Sequence, residues 1–229
     1  MKICLIMDNP ETPRHPVIGR ALHTLSTTHD VRFLDMRRLT SEQALAQEER
    51  HPQADLYLLK SHAPAALEVA HHLEQRGALV VNSWAASVAC QDRLRMAQRL
   101  HQAALPWPHT WSQEPVVLQE FVAGDGWDSK AWVIDQQLFA ARRRTPLEAQ
   151  ASKEDVALSA EELPSEWAQI TLEVGRVFDL RLYGVDLLVT ERGPIIVDVN
   201  AFPGFRGVHG ASSALVALVE QLGQERQVG

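Results

Sequence analysis

Short, almost wholly apolar runs alternate along this chain with longer stretches in which apolar residues recur at helical spacing. Ile3-Cys4-Leu5-Ile6, Leu56-Tyr57-Leu58-Leu59 and Ala78-Leu79-Val80-Val81 are of the first kind, the pattern of strands covered by helices on both sheet faces. The spacing predicts strand 2–7, a helix around 17–28, strand 31–35, a helical stretch around 41–49, strand 55–60, a helix near 64–76 and strand 78–81. Residues 1–82 therefore read as a small doubly wound domain. Residues 83–105 are helical until Pro106 and Pro108 stop them, so the hinge falls in 83–110. Residues 111–229 follow as the second domain. They read as strand 116–122, a hairpin 130–134/137–141, a polar stretch 145–163, a helix 164–179 with Trp167, Ile170, Val174 and Phe178 on one stripe, a second hairpin 182–189/194–199 and a final helix from Ser212. The class is α/β, with an α+β second part.

Composition narrows the function. The chain has 229 residues and a formal net charge of −7, which argues against a general nucleic-acid binder. No apolar run approaches the roughly 18 residues that cross a bilayer, and the apolar start is too short for a secretory signal. Only Cys4 and Cys90 occur, both in apolar settings, as expected of reduced core thiols in a cytoplasmic protein.

The chemistry concentrates in Tyr183 to Asn200. Side chains alternate across a strand, so Asp198 and Asn200 share one face and Ile195, Val197 and Val199 the other. A three-residue turn, Glu191-Arg192-Gly193, pairs Asp186 with Asp198; a two-residue turn sends the two carboxylates to opposite faces. The odd turn is the expectation here. Like charges opposite one another destabilise a sheet unless a cation compensates, and two carboxylates with an amide oxygen suit Mg²⁺ far better than zinc. The ten histidines show no zinc spacing.

With these residues in view, the sequence resembles the ATP-grasp superfamily, specifically the RimK-like carboxylate–amine ligases. Val81-Asn82-Ser83, Asp92-Arg93 and Leu105 to Thr110 are similar to the family's entry segment, and Val117 to Val122 to its adenine-side strand. Asp128-Ser129-Lys130 with Val133 to Arg144 resembles the phosphate-side hairpin, and Gly184 to Leu188 with Asp198 to Gly204 the metal-binding hairpin and its loop. The resemblance runs from about residue 80 to the C-terminus and implies a small doubly wound pre-ATP-grasp domain followed by a truncated ATP-grasp domain with an antiparallel sheet.

It implies ATP and Mg²⁺, or Mn²⁺, as cofactors, with Asp186, Asp198 and Asn200 as metal ligands, Asp198 standing in for a more usual Glu. Gln119, Glu120, Phe121 and Val122 would meet the nucleotide together with Arg93, which replaces a usual Lys. Lys130 and Arg144 would stabilise the transferred phosphate. The implied reaction activates a carboxylate as an acyl phosphate for attack by an amine, on small-molecule or peptide substrates, with no nucleic acid or membrane partner.

One departure is large. Where the family inserts a glycine-rich subdomain over the phosphates, only Trp111 to Val116 intervene here. The segment 145–163 with Lys153, or a neighbouring subunit in a homo-oligomer or a partner complex, is left to provide the cover. The alternatives are a small-molecule kinase of the same fold and a non-catalytic nucleotide- or partner-binding module.

Overall fold

The computed structural model describes residues 1–51, 53–113, 116–144, 156–159 and 162–228. In chain order the elements are β1 (Lys2–Met7), α1 (Ile18–Leu25), β2 (Asp30–Asp35), α2 (Ser41–Glu48), β3 (Leu56–Lys60), α3 (Pro64–Gln75), β4 (Val80–Val81), α4 (Trp84–Gln91) and α5 (Arg93–Gln102). There follow β5 (Thr110–Gln113), β6 (Val116–Gln119), β7 (Trp127–Ile134), β8 (Gln137–Arg144), β9 (Val156–Leu158), α6 (Ser165–Phe178), β10 (Leu182–Thr190), β11 (Gly193–Ala201) and α7 (Ala211–Val228). Two compact units result, residues 1–88 with 204–229, and residues 89–203. The final helix, grouped with the second domain by its place in the sequence, thus belongs to the first unit.

The first unit is a parallel sheet of order β2-β1-β3-β4. Its inner strands bury nearly every side chain, Ile3 to Ile6 and Leu56 to Leu59 being at most 2 % exposed, which is why they read as continuous apolar runs. One acidic group goes inside with them. Glu48 ends α2 under the sheet, where its carboxylate accepts the Tyr57 hydroxyl at 2.6 Å and pairs with the Arg32 guanidinium, as a buried charge requires. Helix α7 returns against α1, tied by His29 Nε2 to Glu220 at 2.9 Å.

The loop into α1 makes this unit sensitive to acid. His15 Nδ1 accepts the backbone N–H groups of Val17 and Ile18, each at 3.3 Å, a role only the neutral ring can play. Burial, then Arg206 and Lys60, hold its pKa below the ordinary value; burial and Lys60 do the same for His62, with Asp8 opposing. The unfolded chain therefore binds more protons just below about pH 6.5. Stability is full above that pH and falls as pH drops through the two folded values. The urea midpoint is expected to be lower at about pH 5.5 than at about pH 7.5, with a smaller drop in His15→Asn; equal midpoints in the parent protein contradict this reading.

The second unit is an antiparallel sheet of order β11-β10-β7-β8-β9, with a separate two-stranded sheet, β5-β6. Helix α6 packs against β7 and the β10–β11 hairpin through Trp167, Ile170, Val174 and Phe178, all buried, the stripe its spacing predicts. The predicted helical run 83–105 is two helices. Asp92 leaves helical geometry and its Oδ1 accepts the N–H groups of Leu94 and Arg95, capping α5. Strand 116–122 ends at Gln119 and has a partner, β5, that the sequence pattern did not reveal. Of the polar stretch 145–163, Val156–Leu158 forms β9 against β8; Lys153 lies outside the described residues. No helix among the described residues is long and apolar enough to cross a membrane.

Candidate functional site

The β10–β11 hairpin turns in two residues, Glu191 and Arg192, with Thr190 opposite Gly193 and a φ of +94° at that glycine. This corrects the three-residue turn expected from sequence. A straight ladder from such a turn would set Asp186 opposite Val197. Instead the register runs Leu188–Ile195 and Leu187–Ile196, then shifts, so that Val197 is the extra residue of a β-bulge and Asp186 stands opposite Asp198. The carboxylates meet as expected, by a different route. Alternation breaks at the same point, because Ile195 and Ile196 are both buried and Val197 is partly exposed.

Arg93, the first residue of α5, meets this bulge. Its guanidinium donates to the Val197 carbonyl at 2.9 Å and pairs with Asp198 Oδ1 at 3.3 Å. It also lies 5.6 Å over the Trp107 ring. A residue expected to touch nucleotide directly is thus held on the backbone and carboxylate of the acidic strand.

On the other side of β10, Asp186 pairs in register with Lys130 of β7, whose Nζ donates to Asp186 Oδ2 at 2.7 Å. One row across the sheet therefore reads Asp198, Asp186, Lys130, Ala141. In the next row Asn200 stands opposite Gly184; a Cβ there would come within 3.2 Å of Trp132 and 3.3 Å of Pro203, a crowded fit that glycine avoids. Asn200 shares the strand face of Asp198 and is exposed.

Burial is the largest cause raising the Asp198 pKa above the ordinary carboxyl range; Asp186 adds to the rise, while Arg93 and Lys130 oppose it. Two facing acids, one of them with its pKa raised, form a hard-oxygen set that a divalent cation would relieve. Among the described residues no group of three His, Cys, Asp or Glu side chains could hold a metal; the further oxygen-bearing side chain on the face of Asp198 is Asn200. Two carboxylates and an amide oxygen are a donor set whose chemistry fits Mg²⁺.

The three arginines of β8 separate. Arg142, opposite Ser129, lies 5.1 Å over Trp127 and 5.7 Å over Trp167 and pairs with Asp125 at 2.5 Å, a packing role. Arg143, which the sequence did not single out, stands opposite Asp128, two residues from Lys130 and at a register position sharing its face. Arg144 stands opposite Trp127; its side chain lies outside the described residues.

The nucleotide-side residues are not gathered at this row. Gln119 donates to Thr110 Oγ1 at 3.2 Å, and Phe121 is 83 % exposed. The Glu120 carboxylate accepts the His109 N–H at 3.1 Å and pairs with Arg192 at 2.8 Å, and the His109 N–H is the first cause of its lowered pKa. Val122 follows in the loop leading to β7. A cavity of about 640 Å³ opens between α5 and β5, lined by Leu94, Ala97, His101, Trp107 and Thr110 among others; none of residues 119–122 lines it. Cys90 is buried, its thiol pushed up to about 12 chiefly by burial and then by Asp198, as a silent core thiol should be.

Residues 38–218 match the family described as the RimK-like ATP-grasp domain, beginning well before residue 80. The chain is 31 % identical over 106 residues to a probable alpha-L-glutamate ligase of Xanthomonas campestris pv. campestris strain B100, covering 44 % of this chain and 36 % of the relative. It thus spans about a third of that relative's length. In fold it is similar to a RimK domain ATP-grasp protein of Sphaerobacter thermophilus (TM-score 0.71, 15 % identity, 97 % of this chain and 99 % of the other). It is also similar to the D-alanine–D-alanine ligase of Bacillus anthracis complexed with ATP (TM-score 0.70, 14 % identity, 99 % of each chain).

Proposed function

Because the chain belongs to the RimK-like ATP-grasp family, we propose that it is an ATP- and Mg²⁺-dependent ligase that joins a carboxylate to an amine. The reading is carried by the in-register pair Asp186 and Asp198, braced by Lys130 on one side and Arg93 on the other. A relative named for glutamate ligation and a fold relative complexed with ATP support the same chemistry.

Asp186, Asp198 and Asn200 would hold Mg²⁺, which when bound neutralises phosphate charge and polarises the γ-phosphoryl group. Lys130 would leave Asp186 for the phosphate oxygens, exchanging one anionic partner for another. Arg93 keeps the bulge, and with it the Asp198 carboxylate, in place. The substrate carboxylate attacks the γ-phosphorus and ADP leaves; the amine then attacks the acyl carbon, phosphate leaves and one proton is released.

The test is calorimetry with MgATP, followed by product analysis over amino acids and peptides, starting with glutamate as the amine. A ligase yields ADP, phosphate and an amide in equal amounts. A phosphorylated acceptor without free phosphate identifies the kinase instead, and binding without turnover identifies the non-catalytic module. No MgATP binding overturns the site. Replacing Mg²⁺ by Mn²⁺ in the same assay tests the second metal.

A further inference from the structure

Each acid of the candidate metal pair has a base of its own. Lys130 Nζ donates to Asp186 Oδ2 at 2.7 Å, and a guanidinium nitrogen of Arg93 lies 3.3 Å from Asp198 Oδ1. The charges form one run, Arg93, Asp198, Asp186, Lys130, and cancel. All four side chains are between 28 % and 41 % exposed, so water reaches both pairs and either can open. A divalent cation entering here must take the carboxylates from these bases and then sit beside two positive charges.

The two bases differ in freedom. Arg93 is held by Asp198, by the Val197 carbonyl at 2.9 Å and over the Trp107 ring at 5.6 Å. Losing the carboxylate to a metal leaves the other two contacts in place, so the guanidinium stays beside the site. Lys130 reaches Asp186 on a flexible stem, and its compact ammonium is free to turn toward a new anion.

We propose that Arg93 and Lys130 are built-in counter-ions that oppose a divalent metal arriving alone and admit it together with the phosphates of a nucleotide. The inference rests on the ligase reading and deepens it: the ligand of the acidic row is the metal–nucleotide complex rather than the free ion. With phosphate present, Lys130 turns to the phosphate oxygens, Asp186 passes to the metal, and phosphate charge offsets Arg93. With the metal alone, no anion replaces the carboxylate at either base. Arg93 is thus a positioning residue that acts through Asp198, and its fixed charge sets the penalty on the bare ion.

The test is calorimetry with Mn²⁺ alone, with the melting temperature in Mg²⁺ alone as a second reading. Lys130→Met and Arg93→Gln are each expected to bind Mn²⁺ more tightly than the parent protein by about tenfold or more, and Mg²⁺ should raise the melting temperature of these variants more than that of the parent. Arg93→Gln keeps an N–H donor for the Val197 carbonyl, so charge is removed while the bulge stays anchored. Arg93→Lys and Lys130→Arg keep the charge and should bind Mn²⁺ as weakly as the parent. For MgATP the order reverses, and Lys130→Met should bind more weakly than the parent by about tenfold or more. Adding Asp198→Asn to Lys130→Met should abolish the gain in Mn²⁺ affinity, which assigns the metal to the acids. A parent protein that binds Mn²⁺ as tightly as both neutral variants overturns the proposal, even where it binds MgATP. Charge-retaining variants that gain as much as the neutral ones do the same, since packing rather than charge would then set the affinity. A parent that does not bind MgATP overturns the ligase reading itself, and the comparison in Mn²⁺ separates the two failures.

Discussion

Asp198→Asn is expected to remove Mg²⁺-dependent nucleotide binding and to lower turnover by about 100-fold or more, while the protein melts at its original temperature or slightly above it. The substitution keeps the shape of the side chain and deletes its charge. Asp198 is the member of the facing pair whose carboxyl is pushed upward by burial and by Asp186, so a neutral isostere relieves the repulsion across the strands. Arg93 keeps its hydrogen bond to the Val197 carbonyl, and the bulge stays anchored. Loss of function without loss of stability separates a ligand from a structural acid. Asp125→Asn is the control: Asp125 pairs with Arg142 and should leave MgATP affinity unchanged. If Asp198→Asn binds MgATP as tightly as the parent, the metal assignment is wrong.

Gly175→Ala is expected to destabilise the second unit by about 2 kcal/mol. The added Cβ would lie 2.2 Å from the Tyr183 hydroxyl oxygen and 2.6 Å from its ring carbon Cζ. Tyr183 cannot swing away, being 2 % exposed and donating its hydroxyl to the Thr171 carbonyl at 3.0 Å. Overpacking of this kind costs roughly 3 kcal/mol, offset by about 1 kcal/mol of improved helix propensity in α6. For a chain of this length the melting temperature should fall by roughly 4–8 °C. Adding Tyr183→Phe removes the closest atom and should recover part of the loss. A melting temperature at or above that of the parent protein would show that α6 and β10 are not packed through this contact.

The sequence made legible what local chemistry writes into it. Continuous apolar runs marked β1, β3 and β4, helical spacing marked α6, and Gly193 marked the tip of the acidic hairpin. The meeting of Asp186 and Asp198 was expected, but from the wrong turn. A bulge inserts one residue without a turn signal, and the apolar run Pro194-Ile195-Ile196-Val197 offers no alternation in which a skipped beat would show. The neighbourhood of Arg93 resembles a nucleotide contact; its grip on Val197, 104 residues away, leaves no local trace. Strand β5 was missed because Thr-Trp-Ser-Gln is too short and too polar to stand out, and it exists only as the partner of β6. The final helix looked like part of the second domain, since adjacency in sequence says nothing of which core an apolar stripe will fill. Among the basic residues of β8, composition alone did not separate Arg142, which stacks on two tryptophans, from Arg143 on the other face.

The clasp between Glu120 and Arg192 joins two parts otherwise distant along the chain. Glu120 directly follows β6, and Arg192 sits at the tip whose two arms carry Asp186 and Asp198. The same arms are also joined to the segments on either side of the ribbon by backbone hydrogen bonds, Ile196 N–H to the Pro106 carbonyl at 2.9 Å and Asp125 N–H to the Val189 carbonyl at 3.1 Å. The ion pair is the soft link and weakens in salt. High ionic strength should therefore loosen the side-chain clasp while the backbone bonds keep both ends of the ribbon on the hairpin.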